Sequence, residues 1–180
     1  MIVLAPLLLV ASGASGTVTF ANGKPAANAV VFLQGGPKPT PLANVVIDQR
    51  DHKFIPHVSV VTVGTNVRFP NNDAVFHNVF TEYHAAHFDL GMYPRGKSKF
   101  QTFDRAGIAV LMCTVHSEMS AYVVVVDTPY FATADGKGRF TIPNVPAGKY
   151  HAQVWHENGE KDAEDVTVGD GGSLSLKTHR

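Results

Sequence analysis

The feature that most constrains the fold is an unbroken succession of short strand-like runs. From Thr17 onward, apolar and β-branched runs recur, separated by Gly, Pro, Asn and Asp. Strands are expected at 17–20, 29–34, 44–48, 58–63, 66–70, 77–80, 99–103, 108–113, 122–126, 139–142, 150–155, 165–168 and 173–177. No stretch carries the period of an amphipathic helix. Many short strands at this spacing predict an all-β chain built as a sandwich or barrel.

Two breaks in composition divide the run of strands. The first, Gly35-Gly36-Pro37-Lys38-Pro39-Thr40-Pro41, cannot continue a strand and reads as a linker. The second lies at Asp127-Thr128-Pro129. Between them sits a block at 43–126, flanked by 16–41 and 127–180. The first flank holds too few strands to fold alone, so the two flanks are expected to fold together around an inserted block. A single irregular barrel with its tail packed on one side is the alternative.

The start of the chain reads as an export signal over 1–14: apolar sequence from Ile2 to Val10, then Ala11, Ser12, Gly13 and Ala14. It lacks a basic n-region, and a buried strand or short helix is the competing reading. The segment is too short to span a bilayer and carries no cysteine for a lipid anchor. The expectation is a periplasmic or secreted protein without a stable membrane anchor. Lysine plus arginine number 15 and aspartate plus glutamate 15, so there is no basic field for nucleic acid. There is 1 cysteine, Cys113, which excludes a disulfide within one chain. An unpaired thiol in an exported protein is exposed to oxidation, and metal ligation is one reason to retain it.

The flanks carry a resemblance of their own. Gly16-Thr17-Val18-Thr19 with Gly23-Lys24-Pro25-Ala26-Ala27-Asn28-Ala29-Val30-Val31 resembles the opening of a carboxypeptidase regulatory-like, transthyretin-like sandwich. The stretch from Asp135-Gly136 through Ala147-Gly148 to Tyr150 resembles its continuation. The physical content is turn chemistry, since Asp-Gly and Ala-Gly pairs supply positive φ between alternating strands.

The chemistry concentrates in Leu111-Met112-Cys113-Thr114-Val115-His116-Ser117-Glu118-Met119, where a strand runs into a short loop. Upstream, Asn71-Asn72-Asp73-Ala74-Val75-Phe76-His77-Asn78 delivers a second imidazole at the start of another expected strand. Two imidazoles, a thiolate and a weak thioether are the donors of an electron-transfer copper site. Thiolate stabilises Cu(I) and supplies a covalent electronic path. Imidazole suits both oxidation states, and a distant thioether adjusts the potential without imposing a geometry. Zinc also accepts cysteine and histidine, but the thioether disfavours it.

The order His … Cys-x-x-His-x-x-Met resembles the cupredoxin family, with a ligand loop similar to that of amicyanin. Val63-Gly64-Thr65-Asn66-Val67-Arg68-Phe69 with Asn72-Asp73 and His77-Asn78-Val79 resembles the plastocyanin-like signature, and the likeness is nearest to methylamine-utilisation-like copper proteins. The resemblance implies a Greek-key β-barrel, inserted in or packed against the small sandwich of the flanks. It implies one copper ion held by His77, Cys113, His116 and Met119, with Asn78 bracing the cysteine loop. It further implies a type 1 (blue) copper protein carrying single electrons, not an enzyme, between redox partners such as a c-type cytochrome or an oxidoreductase. The imidazole of His116 is then the electron port, with Met92 and Pro94 on its rim.

Other histidines weigh less. His84 and His87 offer a second metal site but read better as solvated loop residues; His52 and His57, flanking Phe54-Ile55-Pro56, are expected to have no ligand role. A Cys113–His nucleophile pair lacks a cleft and an orienting third group. Copper storage or delivery is the alternative function, and an adhesion module with incidental copper is a further one.

Overall fold

The structure, a computed structural model, describes residues 13–159, 162–169 and 173–179. Most of the expected export signal therefore lies outside the described residues. The fold is all-β: no helix occurs among the described residues, and none is long and apolar enough to cross a membrane.

The first strands are β1 (Ala14–Phe20) and β2 (Val30–Gln34). Then follow β3 (Asp48–Arg50), β4 (Lys53–Ile55), β5 (Val58–Thr62), β6 (Thr65–Pro70), β7 (Phe80–Thr81) and β8 (Phe88–Asp89). Next come β9 (Ser98–Phe103), β10 (Gly107–Met112) and β11 (Ser120–Val126). The chain closes with β12 (Phe131–Thr133), β13 (Arg139–Ile142), β14 (Gly148–Trp155), β15 (Asp162–Val168) and β16 (Ser173–Thr178).

These strands form two units. One is Gly36–Pro129; the other joins the segments before and after it. In the split unit, β1 lies between β13, antiparallel, and β16, parallel, while β2 lies between β12 and β14, with β15 beyond. Val31 stands opposite Val154 and Gly16 opposite Phe140, so segments far apart in sequence pair directly. The alternation of β1 turns Ala14, Gly16, Val18 and Phe20 inward, where Val18 joins Val31, Leu33, Ile142 and Leu176 in one apolar core.

In the Gly36–Pro129 unit one sheet has the order β5-β11-β10-β7-β8, and β6 pairs with β9. Parallel bridges at Val46–Arg68 and Gln49–Asn71 bring the β3 region alongside β6. The core collects Val61, Ala109, Leu111, Val123 and Val125 from the first sheet and Val67, Phe69 and Phe103 from the β6–β9 pair. Ala109 and Leu111 are the inward residues of β10, and continuing that two-residue period turns Cys113 inward as well.

The structure differs from the expected strands in three places. The expected strand at 44–48 makes only a bridge at Val46, and strand geometry begins at Asp48. A hairpin then turns through Asp51 and His52, whose φ values are 51° and 56°. His77 pairs only with Tyr93, and regular pairing resumes at Phe80. The very short β4, β8 and β12 were absent from the expected set.

Candidate metal centre

Three elements meet at the end of the Gly36–Pro129 unit. The loop from β10 to β11 carries Cys113, His116 and Met119, and the amide of Met119 donates to the carbonyl of His116 at 2.9 Å, closing a tight turn. The segment between β6 and β7 carries His77, anchored by paired backbone bonds with Tyr93 of 3.3 Å and 2.9 Å. The β3–β4 turn carries His52.

His77 Nδ1 lies 3.7 Å from Cys113 Sγ and 3.1 Å from His116 Nδ1, and Cys113 Sγ lies 3.8 Å from His116 Nδ1. The donor atoms of these three residues all lie within 4.8 Å of one another. Among the described residues no other group of histidine, cysteine and carboxylate side chains converges in this way; His84 and His87 belong to none. His77 is fully buried, Cys113 is 5% exposed and Met119 1%. His116 is only half-buried. Met119 packs into the same apolar core as Leu111 and Phe103.

Asn78 ties this arrangement together. Its side-chain oxygen accepts the Thr114 amide at 2.9 Å and the Thr114 hydroxyl at 3.0 Å, and its Nδ2 donates to Asp89 at 3.1 Å. The residue after His77 thus fixes the residue after Cys113. Asp89 also accepts the Gly91 amide, and these bonds hold its carboxyl below the usual carboxylate range.

Below His77 lies a polar layer. Asn71 donates to the carbonyls of Val75 and Tyr93, each at 2.9 Å. The Tyr93 hydroxyl donates to the Phe69 carbonyl at 3.0 Å and accepts from Gln49. Burial pushes the Tyr93 phenol up to about 12, so it stays neutral beside the thiol. Asp73 accepts the His52 amide at 2.8 Å, the Ala74 amide at 2.7 Å and His77 Nε2 at 3.0 Å. The His52 amide, followed by the His77 and Ala74 bonds, holds its carboxyl down at about 2 despite burial.

Two of these residues carried no role in the sequence reading. Asp73 appeared only within a motif, and its spacing of four from His77 gives no signal in a segment that is not helical. His52 was expected to be no ligand. It is not among the converging donors, but its ring packs at 4.5 Å centroid distance against His116 and 5.8 Å against His77, which makes it a wall of the cluster. The expected rim residues differ in exposure: Met92 is 44% exposed, whereas Pro94 is half-buried.

The donors suit copper. A buried cysteine sulfur and two imidazoles whose Nδ1 atoms face one another are soft-to-borderline donors, and a thioether on the same loop is a donor that hard cations do not use.

Comparison with known proteins gives two kinds of likeness. Residues 103–176 match the family model for polysaccharide lyase family 4, domain II. No curated protein sequence matches the chain. Among solved structures, the chain is similar to a purple cupredoxin from Nitrosopumilus maritimus, at 20% identity and a TM-score of 0.43, over 46% of this chain and 100% of that one. It is similar to a reduced amicyanin variant at 24% identity and a TM-score of 0.43, over 53% of this chain and 98% of that one. A copper-containing nitrite reductase from Thermus scotoductus SA-01 is similar at 21% identity and a TM-score of 0.45, over 52% of this chain but 28% of that one.

Proposed function

We propose that the Gly36–Pro129 unit binds one copper ion through His77, Cys113, His116 and Met119 and passes single electrons between exported redox proteins. The observation that carries this reading is the convergence of His77 Nδ1, His116 Nδ1 and Cys113 Sγ at separations of 3.1–3.8 Å, with His77 and Cys113 buried and His116 half-buried. Copper supplies a one-electron Cu(I)/Cu(II) couple there. The protein supplies the rest. Cys113 contributes the thiolate, and Asn78 holds its loop through Thr114. Met119, packed in the core, provides a weak donor that tunes the couple. Backbone bonds at both ends of His77 and the short β10–β11 loop limit how far the ligands move when charge changes. Burial of His77, Cys113 and Met119 leaves little room for a substrate, which favours a carrier over a catalyst.

Export is part of the proposal and rests on the apolar segment followed by small residues. The flanking unit is read as a carboxypeptidase regulatory-like sandwich, supported by the pairing of β1 and β2 with strands beyond Pro129. The turn after Asp135 closes on Gly138, whose φ is 73°, so the positive φ expected of the Asp-Gly and Ala-Gly pairs falls on Gly138 and not on Gly136 or Gly148.

Adding Cu(II) to apo-protein and following the visible spectrum tests the centre. One equivalent should produce an intense thiolate-to-copper band. Its absence, or saturation at no defined stoichiometry, overturns the assignment. Retention of Cu(I) against a chelator during redox cycling is expected for a carrier, whereas rapid loss marks copper delivery.

The half-buried His116 gives the electron its shortest way out. Its neighbour Val115 is 54% exposed, and Phe76, beside His77, is 55% exposed. With Met92, 44% exposed and next to the Tyr93 that pairs with His77, these are exposed apolar side chains on the segments around the site, on a chain with no net charge. Val115→Lys or Met92→Lys should slow exchange with the redox partner by about tenfold while leaving the spectrum intact. Stopped-flow kinetics measures this, and unchanged rates rule out the route.

A further inference from the structure

The carboxylate of Asp73 reaches more of the centre than its place in a loop suggests. One oxygen, Oδ2, lies 3.0 Å from His77 Nε2 and accepts the His52 amide at 2.8 Å. The other, Oδ1, accepts the Ala74 amide at 2.7 Å. The backbone amide of Asp73 donates to Asn71 Oδ1 at 2.9 Å, and Asn71 in turn holds the carbonyls of Val75 and Tyr93. Asp73 is itself 8% exposed.

We infer that Asp73 is a positioning residue that fixes the tautomer and donor strength of His77 and biases the centre toward Cu(II) over Cu(I). The inference rests on the copper reading above.

The tautomer follows from chemistry. An ionised carboxylate only accepts hydrogen bonds, so the hydrogen must lie on His77 Nε2. The Nδ1 lone pair is then bare, and Nδ1 is the atom that faces Cys113 and His116. A carboxylate behind a ligating imidazole also raises its basicity. The carboxylate is not free to swing away, because both oxygens are held by backbone amides from two different elements. Its charge lies across the His77 ring from Nδ1, the atom that faces Cys113 Sγ. A fixed negative charge stabilises the doubly charged ion more than the singly charged one.

The test uses the full chain. In the wild-type apo-protein, long-range nitrogen–proton correlation spectra should show His77 protonated at Nε2. In Asp73→Asn, an isosteric change, the ratio of Cu(II) to Cu(I) affinity measured by competition should fall at least tenfold. That is a rise in potential of about 59 mV for one electron. Asp73→Glu should recover part of the ratio. An Nδ1-protonated His77 in the apo-protein, or an unchanged affinity ratio in folded Asp73→Asn, overturns the inference. A lowered melting temperature with an unchanged ratio also overturns it, since it marks a structural role only. If Asp73→Asn does not fold, the wild-type tautomer and the Asp73→Glu ratio decide. If wild-type protein takes no copper, the copper reading fails first, and the hold of Asp73 on the His77 ring is still decided in the metal-free protein.

Discussion

Cys113→Ser should abolish the intense visible band of the copper-loaded protein and weaken its copper binding by orders of magnitude. A hydroxyl oxygen of the same shape fits the space, but it is a hard donor and remains protonated at neutral pH. It supplies neither the charge nor the covalent overlap from which such a band arises. The two imidazoles remain, held by the Tyr93 backbone pair on one side and the β10–β11 loop on the other. Residual binding should therefore give only a pale Cu(II) species of the kind that two histidines support. The fold should survive, because the core around Cys113 is made by Leu111, Phe103, Val123 and their neighbours. Absorption and electron spin resonance spectra of Cu(II)-loaded protein check this outcome. An unchanged band in a folded variant would sink the ligand assignment.

The legibility of this centre in the sequence follows how local each part is. Cys113 and His116 sit on or beside one loop, so the expected strand at 108–113, which in the structure ends at Met112, suffices to place both. The two-residue period of β10 even indicates that Cys113 points inward. Asn78 and Thr114 are harder: their bond joins segments far apart in the chain. Only the family resemblance suggested such a brace. The clamp on His77 was hidden for a related reason. It needs the β3–β4 turn to close onto the segment after β6, through the Gln49–Asn71 bridge and the His52 amide. That turn runs through Asp51 and His52, both at positive φ, without the glycine that usually marks such a hairpin. A turn lacking its usual residue hid β4 from the reading and gave no sign that the His52 amide reaches Asp73. Strands of two or three residues such as β8 and β12 hold too few side chains to display any period at all. They exist because neighbouring strands offer them an edge, which is a property of the assembled sheet.

Gly16 carries the other large expected effect, and it concerns the unit built from the flanks. The residue sits in the middle of β1, on its inward face, with β13 on one side and β16 on the other. A Cβ placed there would meet the Leu174 carbonyl oxygen at 2.1 Å and the Phe140 ring at 2.9 Å. The ring could rotate away, but the carbonyl belongs to the backbone of a paired strand and can retreat only by breaking the β1–β16 register. Gly16→Ala should thus cost about 3 kcal/mol, the upper range for overpacking a close-packed core. In a calorimetric scan the transition of this unit should fall by about 12–24 °C. The two units have separate apolar cores, so the visible spectrum of the copper-loaded variant should match wild type below that transition. A melting profile indistinguishable from wild type would show that β1 does not approach β16 as closely as the structure places it. Loss of the copper band together with the flanking unit would show instead that the inserted unit depends on its host for folding.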